Sequence, residues 1–248
     1  MIAEGRIALN GAVLTTPATL LADLAGVTVD GKPVRPPSAP RLFRFYKPPA
    51  TLLENLSGVT VDGKPVRPPA ATRLYRLYKT PGTLTAARDP KGRATIYDRL
   101  PRELPRLVPV GRLDFMTEGL LLMTNDGEFK RKLELPSTAV VRTYRARAFG
   151  HITQDQLDDL SEGITIEGVR YGSIIANLER RTGRNGWIEM SLTEGKNREV
   201  RRVLEHLGLQ VSRLIRTSYG AIDLGGLQPG QIEEVPQVEL DAFRASLK

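Results

Sequence analysis

Two segments of this 248-residue chain concentrate the side chains that could do chemistry. The first, VGRLDFMTEGLLLMTNDGEF (110–129), places Asp114 on a loop between a proline-rich stretch and a strongly apolar run, so a rigid element could hold its carboxylate at a surface cleft. With an unperturbed pKa of about 3.9, such a group is ionised at neutral pH and can serve as nucleophile or base. The plainer alternative is a turn former or a helix-cap acceptor, and Asp126 in Thr-Asn-Asp-Gly reads as that case, a turn. The second segment, LTEGKNREVRRVL (192–204), gathers Lys196, Arg198, Arg201 and Arg202 around the start of a helix. The helix dipole disfavours cations there, so a nearby anion, either a phosphate or a catalytic carboxylate, would relieve them. Spacings of three and four place Arg198, Arg201 and Arg202 on one helix face. An exposed charged face balanced by Glu194, Glu199 and Glu205 is the competing description.

Absences narrow the chemistry further. The chain has no Cys and two His, His151 and His206, which excludes a disulfide framework, a thiol nucleophile and a thiolate zinc site, and leaves too few ligands for a histidine-rich metal centre. No Gly-rich phosphate loop, nucleophile elbow or EF-hand loop is present. Catalysis would therefore fall to carboxylates, Tyr, Lys, Arg or hydroxyls. The net charge of +8 is unevenly spread: residues 1–110 carry 17 basic and 8 acidic side chains, whereas 111–248 carry 19 and 20. That asymmetry points to a nucleic-acid or membrane-surface contact in the N-terminal part. No apolar run reaches the roughly 18 residues of a membrane span, and the first residues do not read as a signal peptide, so a soluble cytoplasmic protein is expected.

Stepping along the chain, residues 17–48 and 49–80 match at 24 of 32 aligned positions without a gap, a tandem duplication. Each copy reads as a short hairpin, Val-Thr-Val then Asp-Gly then Lys-Pro-Val, followed by a Pro-Pro breaker and an alternating strand, RLFRFY or RLYRLY. Only one copy can complete a β structure with 6–14, while the second must supply the strand at 73–79. Strands are expected near 6–9, 73–79, 119–125, 140–149, 164–179, 187–193 and 209–218, and helices over 128–135, 153–163, 196–208 and 237–247. Val200, Val203, Leu204 and Leu207 form the apolar stripe of the best helix. Strands interrupted by separate helices, without regular alternation, predict an α+β fold with a mixed, largely antiparallel sheet and flanking helices.

The motifs GRLDFMTEGLLLMTNDGE, RTYRA and LTEGKNREVRRVLEHLGLQVSRLIRTSYGAIDLGGLQPGQIEEV closely resemble those of bacterial rRNA pseudouridine synthases, which modify single uridines of small- and large-subunit rRNA. The resemblance covers roughly 73–240. AEGRIALNGAV and VTVDGKPV are similar to the latter half of the small S-four RNA-binding domain found at the N-terminus of that family. The resemblance implies a truncated S-four-type domain over 1–37, a linker with the duplicated segment over 38–72, and a catalytic domain over 73–248. It also implies cofactor-free and metal-free isomerisation of a uridine, in which the bond from sugar to ring nitrogen breaks, the base turns, and a bond to carbon 5 forms.

By the same resemblance Asp114 is the catalytic carboxylate, acting as nucleophile or as the base that forms a glycal-type intermediate. Tyr144 stacks on the target base, and Arg142 stands where the family often has Lys. Arg201, with Arg198 as alternative, pairs with Asp114, an arrangement that keeps a carboxylate charged and oriented. Leu214 packs beneath the base, and Arg112 enters the space left by the flipped nucleotide or binds phosphate. Lys91, Arg93, Lys196 and Arg202 neutralise backbone phosphates. The target uridine must be extruded from its stack. The pattern leans toward the large-subunit enzymes; a monomer is the default expectation. The competing readings are a small-subunit enzyme, a non-catalytic rRNA-binding or assembly protein on the same scaffold, and, more distantly, a carboxylate glycosidase.

Overall fold

The structure, a computed structural model, describes residues 2, 4–15, 25–34, 60–61, 64–65 and 70–247. The chain divides into two compact units, 1–68 and 69–248. The strand expected in the first copy of the duplication, 41–46, and most of the 38–72 linker lie outside the described residues.

In the first unit, β1 (Ile7–Leu9) and β2 (Ala12–Val13) form a hairpin across Asn10-Gly11, and β3 (Val27–Val29) pairs with β1 on its other side. Strand β4 (Lys32–Pro33) completes a four-stranded antiparallel sheet. Asn10 and Asp30 occupy positive φ beside Gly11 and Gly31, as two-residue hairpin turns require. The first repeat copy thus pairs with 7–9. The second copy's hairpin, β5 (Thr60–Val61) with β6 (Lys64–Pro65), is a separate two-stranded sheet.

The second unit is built on a nine-stranded sheet. Strand β7 (Leu74–Lys79) is supplied by the second repeat copy and pairs antiparallel with β9 (Glu118–Thr124), which also carries the short β8 (Val108–Pro109). Helix α1 (Gly127–Glu134) follows, then β10 (Arg142–Phe149), α2 (Gln154–Asp158) and the β11 (Ile164–Ile166) and β12 (Val169–Tyr171) hairpin. The long strands β13 (Ile174–Thr182) and β14 (Asn185–Leu192), helix α3 (Glu199–His206) and strand β15 (Gln210–Tyr219) come next. Strands β16 (Ile222–Asp223) and β17 (Ile232–Glu234) and helix α4 (Gln237–Ser246) close the unit. The path runs β13-β14-β10-β15-β9-β7-β17, and every strand pair in it is antiparallel except β15 with β9. The chain is therefore α+β with a mixed, largely antiparallel sheet.

The apolar run in β9 reflects burial on both faces. Leu120 and Leu122 pack with Phe129 and Leu133 of α1 and Phe243 of α4, whereas Leu121 and Met123 pack with Tyr75, Leu77, Leu107 and Leu113. The other half of the sheet buries Val200, Val203 and Leu204 of α3 and Leu157 of α2 against β10, β13, β14 and β15. At the parallel seam, Gly119 has φ +98°, and a Cβ there would lie 2.3 Å from the Arg216 carbonyl oxygen. Only glycine lets β9 approach β15 this closely.

Two expectations change. Asp126 is not merely a turn: it caps α1, its carboxylate accepting from the backbone N–H groups of Glu128 and Phe129 at 2.9 Å each. The helix expected over 196–208 spans 199–206, because Arg198 sits in the left-handed region at φ 52° as its N-cap. Arg198, Arg201 and Arg202 therefore do not share a face: Arg201 is buried, Arg202 is exposed, and Arg198 precedes the helix and pairs with Glu205 at 3.7 Å.

Candidate active site

A cleft of about 910 Å³ opens in the second unit, lined by residues 111–114 and Thr117, the 193–199 turn, and side chains of β10 and β15. Arg112, Asp114, Tyr144, Lys196, Arg198 and Leu214 all line it. Arg201 and Arg202 are not among its lining residues.

Asp114 is half-buried on the turn that feeds β9, closed by a Thr117 N–H bond to the Asp114 carbonyl at 3.0 Å. Beneath it lies Lys79, the last residue of β7, 1% exposed. Its ammonium donates to the carbonyls of Asp114 (3.0 Å), Phe115 (3.3 Å), Thr117 (2.8 Å) and Thr80 (3.2 Å). Burial pushes this Lys down to about 8, opposed by the charges of Asp114 and Glu118. One residue beyond the turn, buried Glu118 accepts from Arg213 Nε at 2.6 Å and from the Tyr78 hydroxyl at 3.0 Å, and the Arg213 bond holds its carboxyl below the usual range.

Arg201 reaches the same turn from α3. Its guanidinium donates to the carbonyls of Met116 and Val211, at 3.3 and 3.2 Å, and not to the Asp114 carboxylate. It acts on Asp114 through space: burial and the neighbouring Arg198 lower its pKa, while the Asp114 charge raises it. The cation expected beside Asp114 is thus a buried one, and its hydrogen bonds tie down the Asp114 turn by its main chain.

Tyr144 lies half-buried on β10, where the pairing with β15 slips between Thr143 and Tyr144. Such a bulge re-aims a side chain, and Tyr144 packs at the meeting of two core clusters. Leu214, buried on β15 opposite Ala146, forms part of the cleft floor. Arg142 is buried in the wall, donating to the Thr193 carbonyl and, at 2.9 Å, to the Tyr219 hydroxyl, which donates to the Leu133 carbonyl at 2.7 Å. It thereby ties the start of the 193–199 turn to β10 and α1.

Within that turn two carboxyl groups meet. Glu194 accepts from the Gly172 N–H at 2.6 Å and pairs with the Lys196 ammonium, while Glu199, 3% exposed, accepts from the Lys196 N–H at 2.8 Å. Burial and contact with Glu194 push Glu199 up to about 7, against the pull of Lys196. Lys79, Glu118, Arg142, Glu194 and Glu199 were not singled out by sequence as site residues. A signal existed for Lys79, which ends the strand RLYRLYK, and for Glu199, which begins the apolar helix face.

Outside the cleft, Arg202 is exposed on α3, and Arg93 is bound to Asp89 at 3.0 and 2.9 Å. Among the described residues no group of three or more His, Asp or Glu is arranged to hold a metal ion, and no helix is long and apolar enough to cross a membrane.

Comparison with known proteins agrees with this architecture. The family model for RNA pseudouridylate synthases matches residues 59–206. An uncharacterized RNA pseudouridine synthase of Rickettsia prowazekii is 38% identical over 235 residues, 95% of this chain and 86% of the relative, and one of Rickettsia bellii is 41% identical over the same length, 88% of the relative. The ribosomal large subunit pseudouridine synthase B of Yersinia pestis is 47% identical over 142 residues, 57% of this chain and 45% of that protein. A crystal structure of a pseudouridylate synthase superposes with a TM-score of 0.61 at 21% identity, covering 98% of this chain and 90% of that one, which shows the fold. The chain belongs to the RNA pseudouridine synthase family and is an isomerase of uridine in RNA.

Proposed function

We propose that the chain converts one uridine of large-subunit ribosomal RNA to pseudouridine, with Asp114 as the catalytic carboxylate. The observation that carries this reading is the gathering of Asp114, Tyr144 and Leu214 in one cleft rimmed by Arg112, Lys196 and Arg198. The large-subunit assignment rests on the similarity to the Yersinia enzyme and to a Salmonella typhimurium protein of the same name, 44% identical over 163 residues, 65% of this chain and 56% of that protein.

The reaction is an isomerisation: the bond from C1′ to N1 breaks, the base turns, a bond from C1′ to C5 forms, and the C5 proton is lost as N1 gains one. Asp114 acts at the sugar, as nucleophile at C1′ or as base toward a glycal. Tyr144 stacks on the extruded uracil and Leu214 supports it from below. Arg201 places a buried positive charge near the carboxylate and fixes its turn through the Met116 carbonyl. Arg112, Lys196, Arg198 and, farther out, Arg202 take backbone phosphates. Extruding the base costs a few kcal/mol, which favours a uridine in a loop or flexible junction. No step requires a cofactor.

The test is to incubate wild-type protein and Asp114→Ala with unmodified large- and small-subunit rRNA and map pseudouridine chemically. A single new large-subunit site with wild type and none with Asp114→Ala is expected. Equal modification by both proteins defeats the role of Asp114, a small-subunit site overturns the substrate, and binding without modification by either protein supports the non-catalytic alternative.

A further inference from the structure

Glu199 presents a contradiction in its hydrogen bonding. One carboxyl oxygen accepts from the Lys196 N–H, but the other, Oε1, is buried and finds no donor among its neighbours. The group against which this carboxyl lies is Glu194, itself a carboxyl. Two ionised carboxylates can only accept, so contact between them is a hydrogen bond only if one carries a proton. An unpaired buried acceptor and a pair of touching like charges would each be costly. A single proton on Glu199, donated to Glu194, removes both costs. Glu194 is the better anion of the two, because the Gly172 N–H and the Lys196 ammonium already stabilise its charge.

We propose that Glu194 and Glu199 share one proton, and that this proton holds the 193–199 turn in the geometry that presents Lys196 and Arg198 to RNA. Both carboxyls line the cleft and flank the two cations in sequence, so they are positioning residues for the substrate-binding rim of the site proposed above. Losing the proton puts a second negative charge beside the first under the rim and removes the tie between its ends. RNA binding then weakens as pH rises through neutrality.

The surroundings leave the pair little alternative compensation. On its own turn Lys196 is engaged with Glu194, and Arg198 points its charge to Glu205 of α3. From β12 the Tyr171 ring lies under Lys196, 5.8 Å from its ammonium. From β10 Arg142 is committed to the Thr193 carbonyl and Tyr219. Elsewhere around the cleft stand Asp114, Arg112, Arg216 and the Lys130–Glu134 pair, which is closed at 2.7 Å. On α3, buried Arg201 is engaged with carbonyls, and Arg202 and His206 are exposed to solvent. Lys79 also titrates near this range, down to about 8, so the variants below must separate the two.

The experiment has two arms. In protein labelled with ¹³C at the Glu side-chain carboxyls, NMR follows titration from pH 4 to 9. One carboxyl resonance is expected to titrate near neutrality, to vanish in Glu199→Gln, and to move downward, without losing the whole of the shift that burial causes, in Glu194→Gln. This arm does not depend on catalysis, so it stands even if no rRNA is modified. In the second arm, the dissociation constant of an rRNA fragment is measured from pH 6 to 8.5. Wild type is expected to weaken about five-fold or more. Glu199→Gln, whose amide donates to Glu194 as the acid does, should be flat with pH, and Glu199→Ala, which loses the tie, should bind weakly throughout. If no Glu199-dependent resonance titrates near neutrality, the shared proton is refuted. If it does but wild-type and Glu199→Gln affinities follow the same pH course, the positioning role is refuted.

Discussion

The two walls of the cleft use buried charge in opposite senses. On the Asp114 wall a buried cation, Lys79, collects main-chain carbonyls and underpins an acid. On the other wall a buried acid, Glu199, collects a main-chain N–H and underpins the cations Lys196 and Arg198. Each turn is built of backbone that no helix or strand satisfies, and each is held by a side chain that matches its orphan groups. The lysine has several carbonyls to satisfy it. The glutamic acid has too few donors and depends on a proton. The contrast makes the two walls answer to pH in opposite senses, the cation-bearing wall through Glu199 and the acid-bearing wall through Lys79.

The largest expected effect tests what the first wall exists to hold. Asp114→Asn keeps the shape and removes the charge, and should lower kcat about ten-thousand-fold with RNA affinity nearly intact, as read in single-turnover assays. Next, Lys79→Met removes the cation while keeping bulk. With the carbonyls of the turn left unpaired, kcat should fall about ten- to a hundred-fold at nearly constant KM, a pattern in which a displaced carboxylate is slower but substrate still docks. Equal losses in KM would mean that both walls depend on Lys79.

The walls should also differ in how stability depends on pH. Glu199 holds its proton up to about 7, whereas in the unfolded chain a Glu loses it near 4.5. Between these values the unfolded state binds fewer protons, so stability falls as pH rises, then levels off above 7. Lys79 gives the opposite slope: folded, it loses its proton near 8, and unfolded near 10.5, so its contribution rises with pH across that interval. Urea unfolding of wild type against Glu199→Gln and Lys79→Met should remove the falling and the rising segment respectively, and a swapped assignment would break the comparison. A smaller effect is expected at Arg202→Ala, outside the cleft, which should weaken rRNA binding a few-fold and reduce the salt slope by about one. The smallest belongs to the repeat. Deleting 17–48 leaves 49–80 to supply the same strands and should leave uridine modification unchanged.

The elements were largely legible in the sequence because burial patterns are local. The run Gly119–Thr124 had to be a buried strand, and Val200, Val203 and Leu204 had to face a core. The gathering of Asp114, Tyr144 and Leu214 was legible through the motifs and their order. The supports were not. Lys79 and Glu199 are charged residues that look like surface, and their burial depends on which main-chain groups the tertiary fold leaves unpaired beside them. Arg201 illustrates the same limit: its proximity to Asp114 was readable, but its actual acceptors are main-chain carbonyls, of Val211 and of Met116, the latter 85 residues away in sequence. The left-handed backbone at Arg198 shortened the helix and separated three arginines that regular spacing would have aligned.

The parallel seam at Gly119 has a consequence for the order of assembly. Strands β10, β13, β14 and β15 pair among themselves within 142–219, and β7, β8 and β9 within 74–124; the two groups meet where Glu118 and Gly119 pair with Ile215 and Arg216, and β17 also returns to pair with β7. Closing so long a loop for so few backbone pairs is expected to come late on the way to the native state, since its entropy cost precedes its contacts. Asp114 belongs to one group and Tyr144 and Leu214 to the other. A nascent chain that completes both halves of the sheet therefore still lacks the cleft that gathers these three residues until that seam shuts.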